Sequence, residues 1–595
     1  MKKCFLLSFL VLQSVCSALY AECTVYYTGP LTSPYAYAWS TGGEMSWPGK
    51  KMTATAFKYN GTAIIWSYTF ASDFSYVIFS NNGSSQTSDL NCECGKLYVE
   101  DKDDWIEYSG TGDVLDTAST ATVDTHGKVV PIESEDIMLQ GFYWDSYQTD
   151  APYGRTKWID HLSDTAALAV FDLLWVPSPV QSSGGLGYHP TKWSSLDSEI
   201  GTRGKLIELI NALHKRGVKV VADIVVNHRG NSNGWCTFYP DNFGSKYKST
   251  SSANGYYQFT EEHIVSDDEC FTDSRSSCKG STTHGAKDSG VEAYAGARDL
   301  DHTNTYVRDA VKSYLAFLQG DAGFDGWRYD LVKSYAPKYL EEYNLASLPY
   351  ISVCEYWDGN VNTLKSYLRK TNYHTMVFDF AMKYKAFNQG LQSNNYGNLT
   401  ASAGSKLARE EGFGRYAVTF IDNHDTFKRG DSNEYCDGTG SGKSLTNSSN
   451  HDKVMEAYAY LLTMPGIPCV FYPHWKTFGT QIENLMAARR LVGVHSESNV
   501  SDEQSGNGFY CATVHGHRGS LIVRLGASRP TDTPTGYRLY TMGSKFSVYV
   551  KEESSALGNT ESDRSETQKR LINGQLYLIR DGKTYTVTGQ CVNGK

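Results

Sequence analysis

From residue 137 to about residue 494, short apolar runs alternate with stretches whose apolar positions recur every three or four residues. The apolar runs lie at 137–142, 173–176, 219–226, 323–329, 350–355, 375–380, 416–421 and 467–472, and stretches such as 205–215 and 304–318 carry the helical step. Eight strand–helix units in succession predict a (β/α)8 TIM barrel within a multidomain α/β chain. Its first part spans 136–228 and its second part 301–494. Between them, 229–300 is rich in Gly, Ser and Asp and lacks helical periodicity, which predicts an insertion domain after strand 3. Residues 22–110 alternate aromatic or β-branched runs with Gly, Asn and Ser turns, the pattern of a small β-sandwich. A polar stretch at 111–135 reads as a linker, and 495–595 returns to short strands as a C-terminal β domain.

The first residues follow a different rule. Lys2 and Lys3 precede an apolar run, and small residues follow up to Ala21. That order predicts a secretory signal peptide over 1–21, too short to span a bilayer. A secreted protein is expected, extracellular or, in a bacterium, periplasmic or at the cell surface. Of the 13 Cys, two lie in the leader, leaving an odd number and so a free thiol. Cys270 and Cys278 read as partners in a polar loop, Cys23, Cys92 and Cys94 as containing a pair, and Cys354 and Cys469 as buried thiols. The net charge of −10 argues against an electrostatic nucleic-acid binder. Aromatic residues make up 13% of the chain, which suits partners with flat apolar faces such as sugars.

Barrel enzymes gather their reactive groups at the C-terminal ends of the strands. Four of the eight ends carry acids and histidines: Asp223 to His228, Arg328 to Asp330, Glu355, and Asp422 to Asp425. Neighbouring strands lie about 4.8 Å apart, so Asp330 and Glu355 should face each other at about 5 Å, the separation used by retaining glycosidases. Arg328, two residues before Asp330, shares its face and favours an ionised nucleophile. Glu355, after an apolar strand, should keep its proton as a general acid. Asp425 is placed to stabilise positive charge at the reacting carbon.

These motifs resemble those of α-amylases in glycoside hydrolase family thirteen. The four short signatures occur in order as DIVVNH at 223–228, GWRYDLVKS at 326–334, CEYWD at 354–358 and FIDNHD at 420–425. MLQGFYWDS, GYHP and GIPCVFY look most like the plant-type branch. The resemblance implies Asp330 as nucleophile, Glu355 as acid/base and Asp425 as transition-state stabiliser. It implies that His228, Arg328 and His424 bind the sugar at the cleavage point, that Tyr188 stacks on it, and that Lys333 meets the leaving side. It also implies a Ca2+ ion held by Asn227, Asp299 and the carbonyl of Ser334, with Asp288 and Glu292 as further ligands from the insertion. Arg298 departs from the family, standing where a proline is usual and bringing a cation near that ion.

The N-terminal region resembles starch-binding modules of family twenty-six through Pro34–Trp39, Met45–Gly49, Val77–Asn81 and Gln86–Asp89. Tyr35, Tyr37, Trp47 and Gln86 are the expected sugar contacts, with Trp39 and Trp66 assigned to the core. Together these features imply a secreted α-amylase, expected as a monomer, acting inside chains of starch, amylose, amylopectin or maltooligosaccharides. An exo-acting maltooligosaccharide-forming enzyme and a glucanotransferase use the same acids. A non-catalytic starch-binding protein would not need them.

Overall fold

The computed structural model describes residues 23–552, apart from 41–42, 60–62, 73, 88, 101–103, 109, 113–128, 145, 147–157, 233, 289 and 428–447, and four strands between 568 and 592. The expected leader and most of the expected linker lie outside the described residues. No helix among the described residues is long and apolar enough to cross a membrane.

The eight apolar runs form one closed, all-parallel barrel: β1 (Met138–Gln140), β2 (Leu173–Val176), β3 (Lys219–Ile224), β4 (Gly326–Tyr329), β5 (Ser352–Cys354), β6 (Met376–Phe378), β7 (Ala417–Phe420) and β8 (Ile467–Phe471). Each strand pairs with the next in chain order, and β8 closes on β1 with Cys469 opposite Met138. The strands are buried on both faces, which is why they read as continuous apolar runs and not as alternations. Runs such as 137–142 extend past the ladder because Phe142, beyond the strand end, is also buried in the core. Val129 and Val130, inside the span read as linker, are fully buried in this same core, and the amide of Ser352 at the start of β5 donates to the Val129 carbonyl.

Two helices that follow β4 and β5 matter below. α1 (Pro337–Ser347) starts on a proline, whose fixed φ and missing N–H suit a first turn. α2 (Val361–Lys370) is capped by Asn360, which accepts from the Asn362 amide at 2.9 Å, and it carries Arg369 and Lys370 in its last turn.

The insertion leaves the barrel at His228–Arg229 and returns at Arg298–Asp299, and these two segments pair antiparallel with His228 opposite Asp299. This clasp brings the ends of a segment of about 70 residues to one edge of the barrel mouth. The disulfide inside it is Cys236–Cys278, not the expected Cys270–Cys278. Sequence nearness misled there: the chain carries Cys236 back across the insertion, and Cys270 remains a buried free thiol. Cys23 pairs with Cys94, and Cys354 and Cys469 are buried free thiols as expected.

The N-terminal region is a two-sheet sandwich around Val25, Tyr27, Ala36, Ala38, Val77 and Phe79. Past the barrel, five antiparallel strands from Val500 to Glu552 share the barrel's core through Tyr510, Leu521 and Val548. Residues 552–595 form a separate compact unit containing a four-stranded antiparallel sheet.

Candidate active site

Arg328 organises the barrel mouth. It is the third residue of β4, almost wholly buried, and its guanidinium reaches three carboxylates. Nη1 lies 2.8 Å from Asp223 of β3 and 2.8 Å from Asp330, and Nη2 lies 2.9 Å from Glu355 beyond β5. The ladders fix this geometry. Asp223 is opposite Arg328 in the β3–β4 register, while the amides of Asp330 and Glu355 donate to the carbonyls of Ile224 and Tyr329. Asp330 and Glu355 therefore stand on adjacent strand ends facing one cation, as the spacing predicts.

The electrostatics differ from the simple expectation in one respect. Arg328 does not serve Asp330 alone, and Glu355 does not sit in a purely apolar pocket. Burial still dominates at Glu355 and holds its pKa well above the ordinary carboxylate range. Arg328 opposes that rise, whereas the negative charges of Asp330 and Asp425 reinforce it. Asp223 is pushed up to about 7 by burial, with Arg328 again opposing. It accepts hydrogen bonds from the Tyr188 hydroxyl at 2.8 Å and the Trp175 indole at 3.1 Å. Asp223 lies inside the first signature but was not singled out from the sequence; an acid in an otherwise apolar strand was the available signal.

The residues expected to meet the sugar converge on this centre. His424 receives a hydrogen bond at Nδ1 from the Gln140 amide (2.9 Å), so its proton sits on Nε2, 3.2 Å from Asp425. His228 donates from Nε2 to the Tyr188 carbonyl at 2.8 Å, and burial lowers its pKa to about 4, which keeps the ring neutral. The rings of Trp144, Tyr188 and His424 lie parallel within 7°, with centroids 5.2 to 6.0 Å apart. Trp144 and Tyr294 were missed as site residues. Tyr294 stacks on His228 at 4.2 Å and hydrogen-bonds His189 at 2.6 Å, and nothing in its sequence neighbourhood marks it. Lys333 reaches Glu292 at 3.0 Å and lies over the Tyr356 ring at 5.2 Å.

The expected metal ligands are brought together in part. The clasp sets the Asn227 side chain 2.9 Å from the Asp299 carboxylate, whose other oxygen accepts from the Tyr294 amide. Asp299 is buried, which pushes its pKa up to about 7, and among the described residues it accepts only from the neutral Asn227 amide and Tyr294 N–H, so a hard cation would supply the counter-charge that its carboxylate form lacks. Asp288 accepts from the amides of His302 and Ala336, and the Ser334 carbonyl lies so close to Gly290 that any side chain there would collide with it. Glu292 is not part of this group; it is spent on Lys333 at an exposed rim. Arg298 turns away from Asp299, binding Asp268 at 2.5 Å and Glu269 at 2.6 Å across the Trp235 ring. The cation introduced at the proline position is thus neutralised by two acids of the insertion.

In the N-terminal sandwich, Tyr35, Tyr37 and Trp39 project from one face of the strand Tyr35–Ser40, while Ala36 and Ala38 are buried on the other. Trp39 is therefore not a core residue. It stacks on Tyr76 across the strand pair at 5.4 Å and lies 5.4 Å from Tyr37, which meets the exposed Trp47 edge-on at 5.1 Å. Gln86 is exposed and bridges to Ser80. Trp66 packs against the sandwich core as expected.

Residues 159–478 match the family described as Alpha amylase, catalytic domain, and residues 25–92 match Starch-binding module 26. Probable alpha-amylase 2 of Arabidopsis thaliana is 29% identical over 71% of this chain and 96% of its own length. Alpha-amylase 3, chloroplastic, of the same plant is 28% identical over 70% of this chain but only 44% of its own length, so the chain spans less than half of that relative. The Glucan 1,4-alpha-maltotetraohydrolase of Roseateles saccharophilus is 27% identical over 68% of this chain and 69% of its own. The alpha-amylase of Geobacillus thermoleovorans, solved with acarbose, superposes with a TM-score of 0.51 at 15% identity, covering 71% of this chain and 99% of that one, a likeness of fold. With more than half of its length matched and its acids on adjacent barrel strands, the chain belongs to the α-amylase family of glycoside hydrolases and carries a starch-binding module ahead of the barrel.

Proposed function

We propose that the protein hydrolyses internal α-1,4 bonds of starch and related glucans with retention of configuration. The observation that carries this reading is the single Arg328 fork holding Asp330 and Glu355 on neighbouring strand ends. Glu355, kept protonated by burial, gives its proton to the glycosidic oxygen as an oxygen of Asp330 bonds to the anomeric carbon. The carbon–oxygen bond to the leaving chain breaks. Glu355, now a carboxylate, takes a proton from water, whose oxygen displaces Asp330 and restores both acids. Asp425 and His424 bind and polarise the sugar ring, and Tyr188 stacks on it.

The exposed rings of the N-terminal module hold the enzyme on polymer, raising the local concentration of chain ends and loops. Asn227 and Asp299 would hold Ca2+, with Asp288 and the Ser334 carbonyl as further candidate oxygen donors; such an ion would fix the insertion against the barrel. The leader supports export. The maltotetraohydrolase relative supports an exo-acting alternative with the same chemistry.

Chromatography of products from soluble starch over time separates these readings: a broad early ladder supports internal cleavage, a single short product supports end-wise action, and cyclic or elongated products support transfer. Asp330→Asn and Glu355→Gln should each lower hydrolysis by about 1,000-fold or more while leaving granule binding unchanged. Comparable activity in either variant refutes the assigned roles. Chelation should lower the thermal midpoint, and Asp299→Asn should remove that response. An equal shift in wild type and variant would place the ion elsewhere.

A further inference from the structure

A cavity of about 550 Å³ opens beside Lys333 and is lined by none of Asp223, Arg328, Asp330, Glu355 and Asp425. Lys333, three residues past Asp330, and Tyr356, directly after Glu355, line it, so in sequence it begins where the two reactive strand ends leave the barrel mouth. One wall is the returning insertion at Gly290 and Val291, pinned by the Val291 amide donating to the Lys333 carbonyl at 2.7 Å. The other wall is α2, with Asn362, Ser366 and Lys370 spaced four residues apart along one face.

The direction of this groove follows from the fold. Helices of a (β/α)8 barrel start at the mouth and run back down the outside. Asn362 is in the first turn of α2 and Lys370 is its last residue, eight positions or about 12 Å along the axis. The groove therefore leaves the plane of the cleft at Lys333 and descends the flank of the barrel between α1 and α2. Its lining combines the amide, hydroxyl and ammonium groups of Asn360, Asn362, Thr363 and Lys370 with the partly exposed ring of Tyr356, while Tyr335 and Tyr367 are almost wholly buried. Polar side chains beside an exposed aromatic ring are how sugars are recognised, and the volume falls within the usual range for ligand sites, about 300–1,000 Å³.

We propose that this flank groove binds a second segment of α-glucan, continuous with the chain in the cleft and diverging from it on the leaving-group side. The inference rests on the amylase reading above. The segment is either a branch attached near the scissile bond or a linear chain that bends over the rim.

The test compares the full-length enzyme with Thr363→Trp, which fills the groove, and with the double variant Asn362→Ala/Lys370→Ala, which strips polar contacts from exposed positions and preserves the helix. KM and kcat are measured on maltotetraose, on long linear amylose fragments and on branched limit dextrins, with thermal unfolding of each protein. Both variants should match wild type on maltotetraose and raise KM on the longer glucans by about 5- to 10-fold at constant kcat. A rise confined to branched dextrins identifies the branch as the occupant; an equal rise on both identifies a bending linear chain. Unchanged KM on both glucans in an active, folded double variant overturns the groove proposal. An inactive wild type instead overturns the amylase reading, and titration of branched dextrin into wild type and double variant then decides the groove, equal binding refuting it.

Discussion

The barrel mouth and the exposed face of the N-terminal sandwich are the two surfaces proposed to meet glucan, and they are built on opposite principles. At the mouth, Asp223, Asp330 and Glu355 share one buried guanidinium, so each group's charge state depends on its neighbours. On the sandwich, Tyr37, Trp39, Trp47 and Tyr76 are partly or largely exposed rings touching through their faces and edges. Chemistry requires pre-set charge in a dry site, whereas holding a polymer requires only flat surface. Changes at the mouth should be large and strongly coupled; changes on the sandwich should be small and nearly additive.

Removing the least conspicuous acid tests the coupled side hardest. Asp223→Asn leaves Arg328 short of a buried counter-charge and loosens the Tyr188 hydroxyl. Thermal and denaturant unfolding should show a loss of about 3–5 kcal/mol, with reduced turnover in whatever protein remains folded. A stable, fully active variant would mean that Arg328 is adequately held by Asp330 and Glu355 alone.

A second test uses pH. The Glu355 pKa is raised above the ordinary 4.5, so the protonated form is the one the folded protein favours. Its contribution to stability is therefore complete below pH 4.5 and fades as pH rises through the folded value. Catalysis follows the same proton, so the alkaline limb of kcat/KM should lie well above pH 4.5. Because the charge of Asp425 helps raise that value, Asp425→Asn should carry the limb of the residual activity to lower pH. A limb that stays in place, or moves upward, would show that another group controls it.

The smallest effects belong to the sandwich. Trp39→Ala and Tyr76→Ala should each weaken granule binding by about 1–2 kcal/mol, roughly 5- to 30-fold, and leave the rate on soluble maltooligosaccharides unchanged. Granule binding at wild-type strength would limit the platform to Tyr37 and Trp47.

The same contrast explains what the sequence disclosed. The eight barrel strands were legible because strands buried on both faces must be apolar throughout, and acids at their ends interrupt that rule visibly. Asp330 and Glu355 could be paired because strand order fixes which ends are neighbours. Trp39 belongs to the exposed face because its two-residue spacing from Tyr37 puts both on one side of the strand; strand parity, and not the large apolar side chain, decides its place. The Cys236–Cys278 bond and the contact of Tyr294 with His228 depend on the path of the insertion, whose short strands and single turns carry no period to read. The commitment of Glu292 to Lys333 is likewise a matter of where two loops meet.

One guanidinium facing three carboxyl groups balances one ionised acid, and with Glu355 holding its proton and Asp223 pushed up to about 7 the resting mouth stays close to that balance. A neutral sugar does not disturb it on arrival. In the proposed reaction Glu355 gives up its proton as the ring carbon turns cationic, so the extra negative charge and its counter-ion arise together, at the top of the barrier.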